Sequence, residues 1–212
     1  MRLHGYFRSS AAWRVRIALG LKGVACEAVS HHLVQGEQRR PAYLALNPQG
    51  LVPALELDSG EVLTQSLAIC EYLDESVPEP PLLPAEPVSR ALVRGLAEIV
   101  ACDIHPIQNL KILNRLRANG LDKDAVQGWA RTVIEEGLDA YEQRLARTAG
   151  RFSFGDSPTL ADVFLVPQLG NARRFGARLD WPRILAVEAA CRELAAFAAA
   201  APEVQPDAEP AA

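Results

Sequence analysis

Cysteine is scarce. The four in the chain, Cys26, Cys70, Cys102 and Cys191, lie far apart, with no CxxC pair and no metal-ligand spacing. This argues against a disulfide framework or a cysteine-built metal site, and points to buried free thiols in a reducing compartment. Long apolar runs are also missing. No stretch reaches membrane-spanning length, and Arg8, Arg14 and Arg16 interrupt the N-terminal run before it could serve as a signal region. A cytoplasmic protein with no membrane partner is the expectation. Nor is there any basic excess. A formal net charge of −4 does not suit a nucleic-acid or polybasic membrane surface. Any anion site must therefore come from locally clustered arginines.

What is present suits a folded chain: 212 residues with 49% apolar content can build one large domain or two small ones. The stretch YFRSSAAWRVRIALGL, residues 6–21, is the most informative. Trp13, Ile17 and Leu21 recur at helical spacing, and Val15, Ala18 and Leu19 widen the stripe into a broad buried face. Ser9 and Ser10 therefore sit at a helix N-terminus, where unpaired backbone N–H groups and the peptide dipoles favour an anion, a thiolate among them. A serine there also caps its own helix. The residues alone leave both roles open.

Residues 1–6 fit a first strand, followed by a helix over about 11–22 with Gly23 as its stop and a second strand over 24–30. A polar stretch, 31–40, leads to a short helix at 41–46 with Pro41 in its first turn, then to the turn cluster Asn47, Pro48, Gln49, Gly50. Residues 52–57 and 61–64 read as a hairpin closed by Asp58, Ser59 and Gly60, and Gln65 and Ser66 open a helix to about 75. The order β-α-β-α-β-β-α predicts a small α/β unit over 1–80 with mixed strand pairing. Pro78, Pro80, Pro81, Pro84 and Pro87 mark a boundary, with 81–87 as linker.

An all-helical domain over 88–200 is expected after it. One long helix, 88–118, is predicted to kink at Pro106, and a second covers 124–147. Residues 152–157 form a connector. Thr159 followed by Asp162 reads as a capping box for a helix to about 175, and a last helix spans 183–199. The tail, 201–212, carries Pro202, Pro206 and Pro210 and is expected to be disordered.

This order resembles that of the cytosolic glutathione transferases, with a thioredoxin-like N-terminal domain and a helical C-terminal domain. RSSAAWRVRIAL is similar to the signature of the zeta class, the maleylacetoacetate and maleylpyruvate isomerases. NPQGLVPAL, QSLAICEYL, HPIQNLKIL, GDSPTLADVFLVPQ and NARRF follow in that family's order, so the resemblance covers nearly the whole chain. One position departs from it: Ala11 stands where zeta members commonly carry a cysteine beside the serine pair. A protein thiol is thereby removed from this position, whereas glutathione's own thiol is not.

The resemblance implies a glutathione-dependent cis–trans isomerase acting on a small anionic keto acid, as a homodimer and without a metal. Ser66, with Gln65, would hold glutathione's γ-glutamyl carboxylate at a helix start. Gln49 lies in the neighbouring turn, and Val52, if its bond to Pro53 is cis, would pair with the peptide like a strand. His105 and Asn109 are four apart and share a helix face on the predicted helix; with Asp103 and Gln108 they are further glutathione candidates. Ser9, with Ser10 in support, would lower the thiol's pKa. Arg8 and Arg174 would clamp substrate carboxylates and steady the enolate. A general glutathione transferase or peroxidase, and a non-catalytic glutathione-binding protein, are the competing classes.

Overall fold

Four short strands and the helices that cover them make up most of the first of two units in the computed structural model, which describes residues 1–209. In chain order these are β1 (Arg2–Gly5), α1 (Ser10–Lys22), β2 (Glu27–Ser30), α2 (Pro41–Leu46), β3 (Ala54–Glu56), β4 (Val62–Thr64) and α3 (Ser66–Ser76). The sheet order is β2-β1-β3-β4, with β1 and β2 parallel and the other pairs antiparallel. That is the thioredoxin-like arrangement.

Apolar periodicity explains the packing. Ala12, Val15, Ile17 and Ala18 of α1 are fully buried, as are Ile69 and Cys70 of α3. A buried ion pair, Lys22 to Asp74 at 2.6 Å, ties the two helices together. Lys22 also donates to the Pro80 carbonyl at 2.6 Å. Gly23, at φ +63, ends α1, and the Val24 N–H closes onto the Leu19 carbonyl at 3.0 Å, a Schellman-type stop.

Strand register decides where the loops emerge. Ala54 at the start of β3 pairs with His4 near the end of β1 and with Thr64 at the end of β4. So the chain leaving β1, the chain entering β3 and the chain leaving β4 all lie at one end of the sheet.

The second unit, Leu82–Arg192, is helical. It contains α4 (Pro87–Glu98), a π-helical turn (Ile99–Ile104), α5 (His105–Gln108), α6 (Leu110–Ala118), α7 (Lys123–Thr148), α8 (Leu160–Phe175) and α9 (Pro182–Arg192). Ile104, Ile134, Leu138, Tyr141 and Phe164 form its centre. The expected single helix over 88–118 is therefore corrected. Pro106 has no N–H for the Cys102 carbonyl, and instead of a simple kink the preceding turn widens, the His105 N–H reaching the Val100 carbonyl five residues back. Asn109 then turns extended, at φ −72 and ψ 152, before α6 begins. His105 and Asn109 do not share one continuous helical stripe.

Gly137 on α7 lies against this π turn; a Cβ there would come within 2.2 Å of Ile104 Cγ1. The start of α8 carries the expected capping box. Asp162 Oδ2 accepts from the Thr159 N–H at 2.7 Å and hydroxyl at 3.0 Å, while its Oδ1 accepts from the Ser153 N–H at 2.8 Å. Leu82 and Leu83, placed in the expected linker, are buried, and Leu82 O accepts from Leu160 N at 2.8 Å.

The last part of the chain also departs from expectation. The predicted 183–199 helix is two helices, α9 and α10 (Ala195–Ala200), separated by an extended Leu194. Residues 193–209 belong to the first unit. There α10 packs on α1, with Ala196 so close to Gly20 that a Cβ at Gly20 would lie 3.1 Å from the alanine's own. Residues 201–209 of the supposedly disordered tail form a 3-10 turn (Pro202–Val204) and hydrogen bonds to residues near the end of β1 and beyond. The remainder of that tail, 210–212, lies outside the described residues.

Candidate functional site

The loop leaving β1 carries Arg8 and Ser9. Ser9 is the N-cap of α1, its Oγ accepting from the Ala12 N–H at 3.2 Å, and Ser10 begins the helix, buried. The capping role is thus realised, and it leaves the Ser9 hydroxyl proton for a ligand. No acidic residue stands in the first turn of α1 or α3, so neither helix N-terminus is neutralised from within. Arg16, one turn past Ala12, braces this loop. Its guanidinium donates to the Phe7 carbonyl at 3.1 Å and the Ala200 carbonyl at 3.0 Å, and burial lowers its pKa to about 10. Arg8 is partly exposed and rests over the Phe7 ring at 4.9 Å.

The second loop, residues 47–53, is fastened from inside. Tyr43 Oη at 2.6 Å and Asn47 Nδ2 at 2.8 Å both donate to the Leu51 carbonyl, and Asn47 Oδ1 accepts from the Gln49 N–H at 3.1 Å. Burial holds the Tyr43 phenol protonated, its pKa pushed up to about 12. The Val52–Pro53 bond is cis.

At the third loop Gln65 has φ +70, the only positive φ of a non-glycine residue among those described. A glutamine in this region costs about 1–3 kcal/mol, and such outliers gather at ligand sites. Its side chain donates to Gln49 Oε1 at 2.9 Å, joining the second and third loops. Ser66 is buried, and its Oγ accepts from Arg14 Nη1 at 3.2 Å. Arg14, 1% exposed, therefore puts a positive charge behind the Ser66 hydroxyl, whose proton is left to face an anion.

Ser9, Ser10, Arg8, Gln49, Val52, Pro53, Gln65 and Ser66 thus lie in three loops, or at the helix starts that follow them, at one end of the sheet. In the sequence Arg14 and Arg16 stand out only as charges that break an apolar run. Their signal was their place within the buried stripe of α1, where an arginine needs partners.

In the helical unit Asp103 and Cys102 are exposed on the π turn, His105 and Asn109 are half-buried, and Gln108 is 3% exposed. Arg173 is committed to Glu188 through two hydrogen bonds, at 2.7 and 2.6 Å. Adjacent Arg174 is exposed, its guanidinium 5.6 Å from the Phe175 ring centre. Burial pushes the Cys70 thiol up to about 12 and raises those of Cys191 and Cys26 as well. Among the described residues there is no group of three or more His, Cys, Asp or Glu that could hold a metal ion, and no helix is long and apolar enough to cross a membrane.

Two helix N-termini, a buried arginine behind a serine, and a loop held for backbone pairing suit an anionic peptide. Comparison with known proteins agrees. The Glutathione S-transferase N-terminal domain family matches residues 3–81, and the Glutathione S-transferase C-terminal domain family matches residues 90–200. The chain is 50% identical to a maleylacetoacetate isomerase of Pseudomonas aeruginosa, over 98% of both chains. The holo structure of a bacterial maleylpyruvate isomerase, a zeta-class glutathione S-transferase, superposes with a TM-score of 0.96 at 52% identity, covering 99% of this chain and all of that one. A maleylacetoacetate isomerase of Methylobacterium extorquens, solved with bound malonate and glutathione, gives a TM-score of 0.95 at 42% identity, covering 99% of this chain and 100% of the other.

Proposed function

The chain belongs to the zeta class of the glutathione S-transferase family, and from that premise we propose that it is a glutathione-dependent cis–trans isomerase of a maleyl keto acid. Maleylacetoacetate and maleylpyruvate are the two substrates in view, in the catabolism of aromatic compounds or amino acids. The observation that carries the reading is the pairing of Ser9, at a helix N-terminus free of acidic residues, with Arg8 directly beside it.

The residues present fit glutathione. Ser66 donates its hydroxyl to the γ-glutamyl carboxylate, with Arg14 behind it and the N-terminus of α3 around it. Gln65 and Gln49 flank that group, and Val52 offers its backbone to the peptide. When bound, glutathione supplies the thiol whose reversible addition lets the substrate's double bond rotate.

Every other part of the chemistry falls to the chain. The Ser9 hydroxyl and the first turn of α1 stabilise negative charge at sulfur, with Ser10 in support. Arg8 grips a substrate carboxylate and steadies the enolate charge that develops beside it. Ala11 leaves no protein thiol at this position to compete. In the helical unit the assignments of Arg174 to a substrate carboxylate, and of Asp103, His105, Gln108 and Asn109 to glutathione, are proposals from family resemblance. A homodimer working in the cytoplasm completes the reading.

Ultraviolet absorbance of maleylacetone and maleylpyruvate, each with and without glutathione, tests it. Conversion to the trans isomer only with glutathione is expected, and the faster substrate names the pathway. Failure to convert either, in protein that binds glutathione, would sink the isomerase in favour of a general transferase.

A further inference from the structure

The end of the described chain lies against the loop that carries Arg8. Asp207 Oδ2 accepts from the Phe7 N–H at 3.1 Å and from the Ser30 hydroxyl at 2.6 Å, which anchors the segment. Two residues on, the Glu209 carboxylate reaches two cationic or donor groups at once. Its Oε1 lies 2.7 Å from His32 Nε2, and its Oε2 lies 3.8 Å from Arg8 Nη2. The His32 tautomer follows from its other nitrogen. Nδ1 accepts from the Gln35 N–H at 3.2 Å, so Nε2 carries the proton and donates to the carboxylate. The ring is held against Tyr6, with centroids 5.1 Å apart.

One oxygen to each donor is how a carboxylate is gripped. We propose that Arg8 and His32 form a single carboxylate subsite, that His32 is a further substrate-binding residue, and that Glu209 is its resting occupant, displaced by a carboxylate of the substrate. The identity of that substrate rests on the isomerase reading; the subsite itself does not. Exchange is feasible because Glu209 is nearly half exposed and its approach to Arg8 is longer than a hydrogen bond. Asp207, held by a backbone N–H, keeps the segment near while Glu209 lets go. The chain's own carboxylate then acts as a tethered competitor, present at high local concentration.

The test uses the full-length chain and maleate as the probe, titrated calorimetrically with glutathione saturating. Glu209→Gln removes the competitor's charge while keeping its size, and is expected to tighten maleate binding about threefold to tenfold, by raising the fraction of open subsite. His32→Phe keeps the ring packing on Tyr6 but not the N–H. It is expected to weaken maleate about tenfold and to cancel the gain from Glu209→Gln in the double variant. Unchanged or weaker binding in folded Glu209→Gln would overturn the proposal and make the segment a brace. Wild-type binding in His32→Phe would do the same.

Isomerase KM, measured on the same variants, separates this proposal from the function on which its substrate rests. The maleate pattern without any isomerisation would keep the subsite and reject the isomerase. Isomerisation with maleate binding indifferent to both variants would reject the subsite alone.

Discussion

Ser9→Ala removes an oxygen with two roles, one observed in the fold and one that the isomerase proposal gives it. The first is the cap on the Ala12 N–H, at 3.2 Å, whose loss costs about 1 kcal/mol of stability. The second is the hydroxyl proton, which the proposal directs at glutathione's sulfur. A hydrogen bond to a charged group contributes about 1.5–3 kcal/mol. At about 1.36 kcal/mol per pKa unit, that raises the bound thiol by about 1–2 units. Activity near neutral pH should fall about tenfold to a hundredfold, because only the thiolate adds. The assay is thiolate absorbance of bound glutathione against pH, beside kcat over the same range. The expected signature is recovery: kcat of Ser9→Ala climbs with pH through the raised pKa, where the wild type is already flat. Ser9→Thr retains both cap and donor and should stay close to wild type. A thiol pKa within half a unit of the wild type, or a loss that alkaline pH does not repair, would refute the assignment of Ser9.

Gln65→Gly should relieve the positive φ, raising stability in urea by about 1 kcal/mol while weakening glutathione binding; loss of both would show that the conformation carries no strain. Gly137→Ala drives a Cβ into Ile104, 2.2 Å from Cγ1 and 2.5 Å from Cδ1, and should lose about 1–3 kcal/mol or more, whereas Gly95→Ala on α4 meets no atom within 4 Å and should gain up to about 1 kcal/mol. Equal urea midpoints for the two would contradict the packing described. His31 has its pKa lowered, by burial and then by His4, so the unfolded chain takes up its proton first and stability drops as pH falls through the ordinary histidine range near 6.5. Thermal melts of His31→Gln from about pH 7 to about pH 5 should show a shallower decline than the wild type. A steeper one would reverse the sign.

Much of the site was legible because its elements announce themselves locally. The serine pair before a 3.6-residue stripe put Ser9 at a helix N-terminus, Gly23 stopped that helix, and Gln65 and Ser66 opened α3 after a hairpin. The capping box of Thr159 and Asp162 is read from a spacing of three. What failed to show was whatever depends on partners distant in sequence. Arg14 looks like any helical arginine until Ser66, 52 residues on, receives its hydrogen bond. The tail reads as disordered from its prolines, yet Asp207 finds the Phe7 N–H 200 residues away. Pro106 announced a break, but Ile104 seated against Gly137 places the widened turn in the packing of the helical unit.

Residue pattern by itself determined the type and order of the strands and α-helices from β1 to α3 and the presence of an anion-favouring helix start. These follow from periodicity, breakers and caps, each acting within about one or two turns of chain. Only the tertiary structure decided that three loops meet at one end of the sheet, that Arg14 and Arg16 stand behind them, and that Glu209 sits on Arg8 and His32. Strand register and the return of the chain onto α1 settle those, because hydrogen bonds and buried charges choose their partners by proximity in space, which local propensity does not encode.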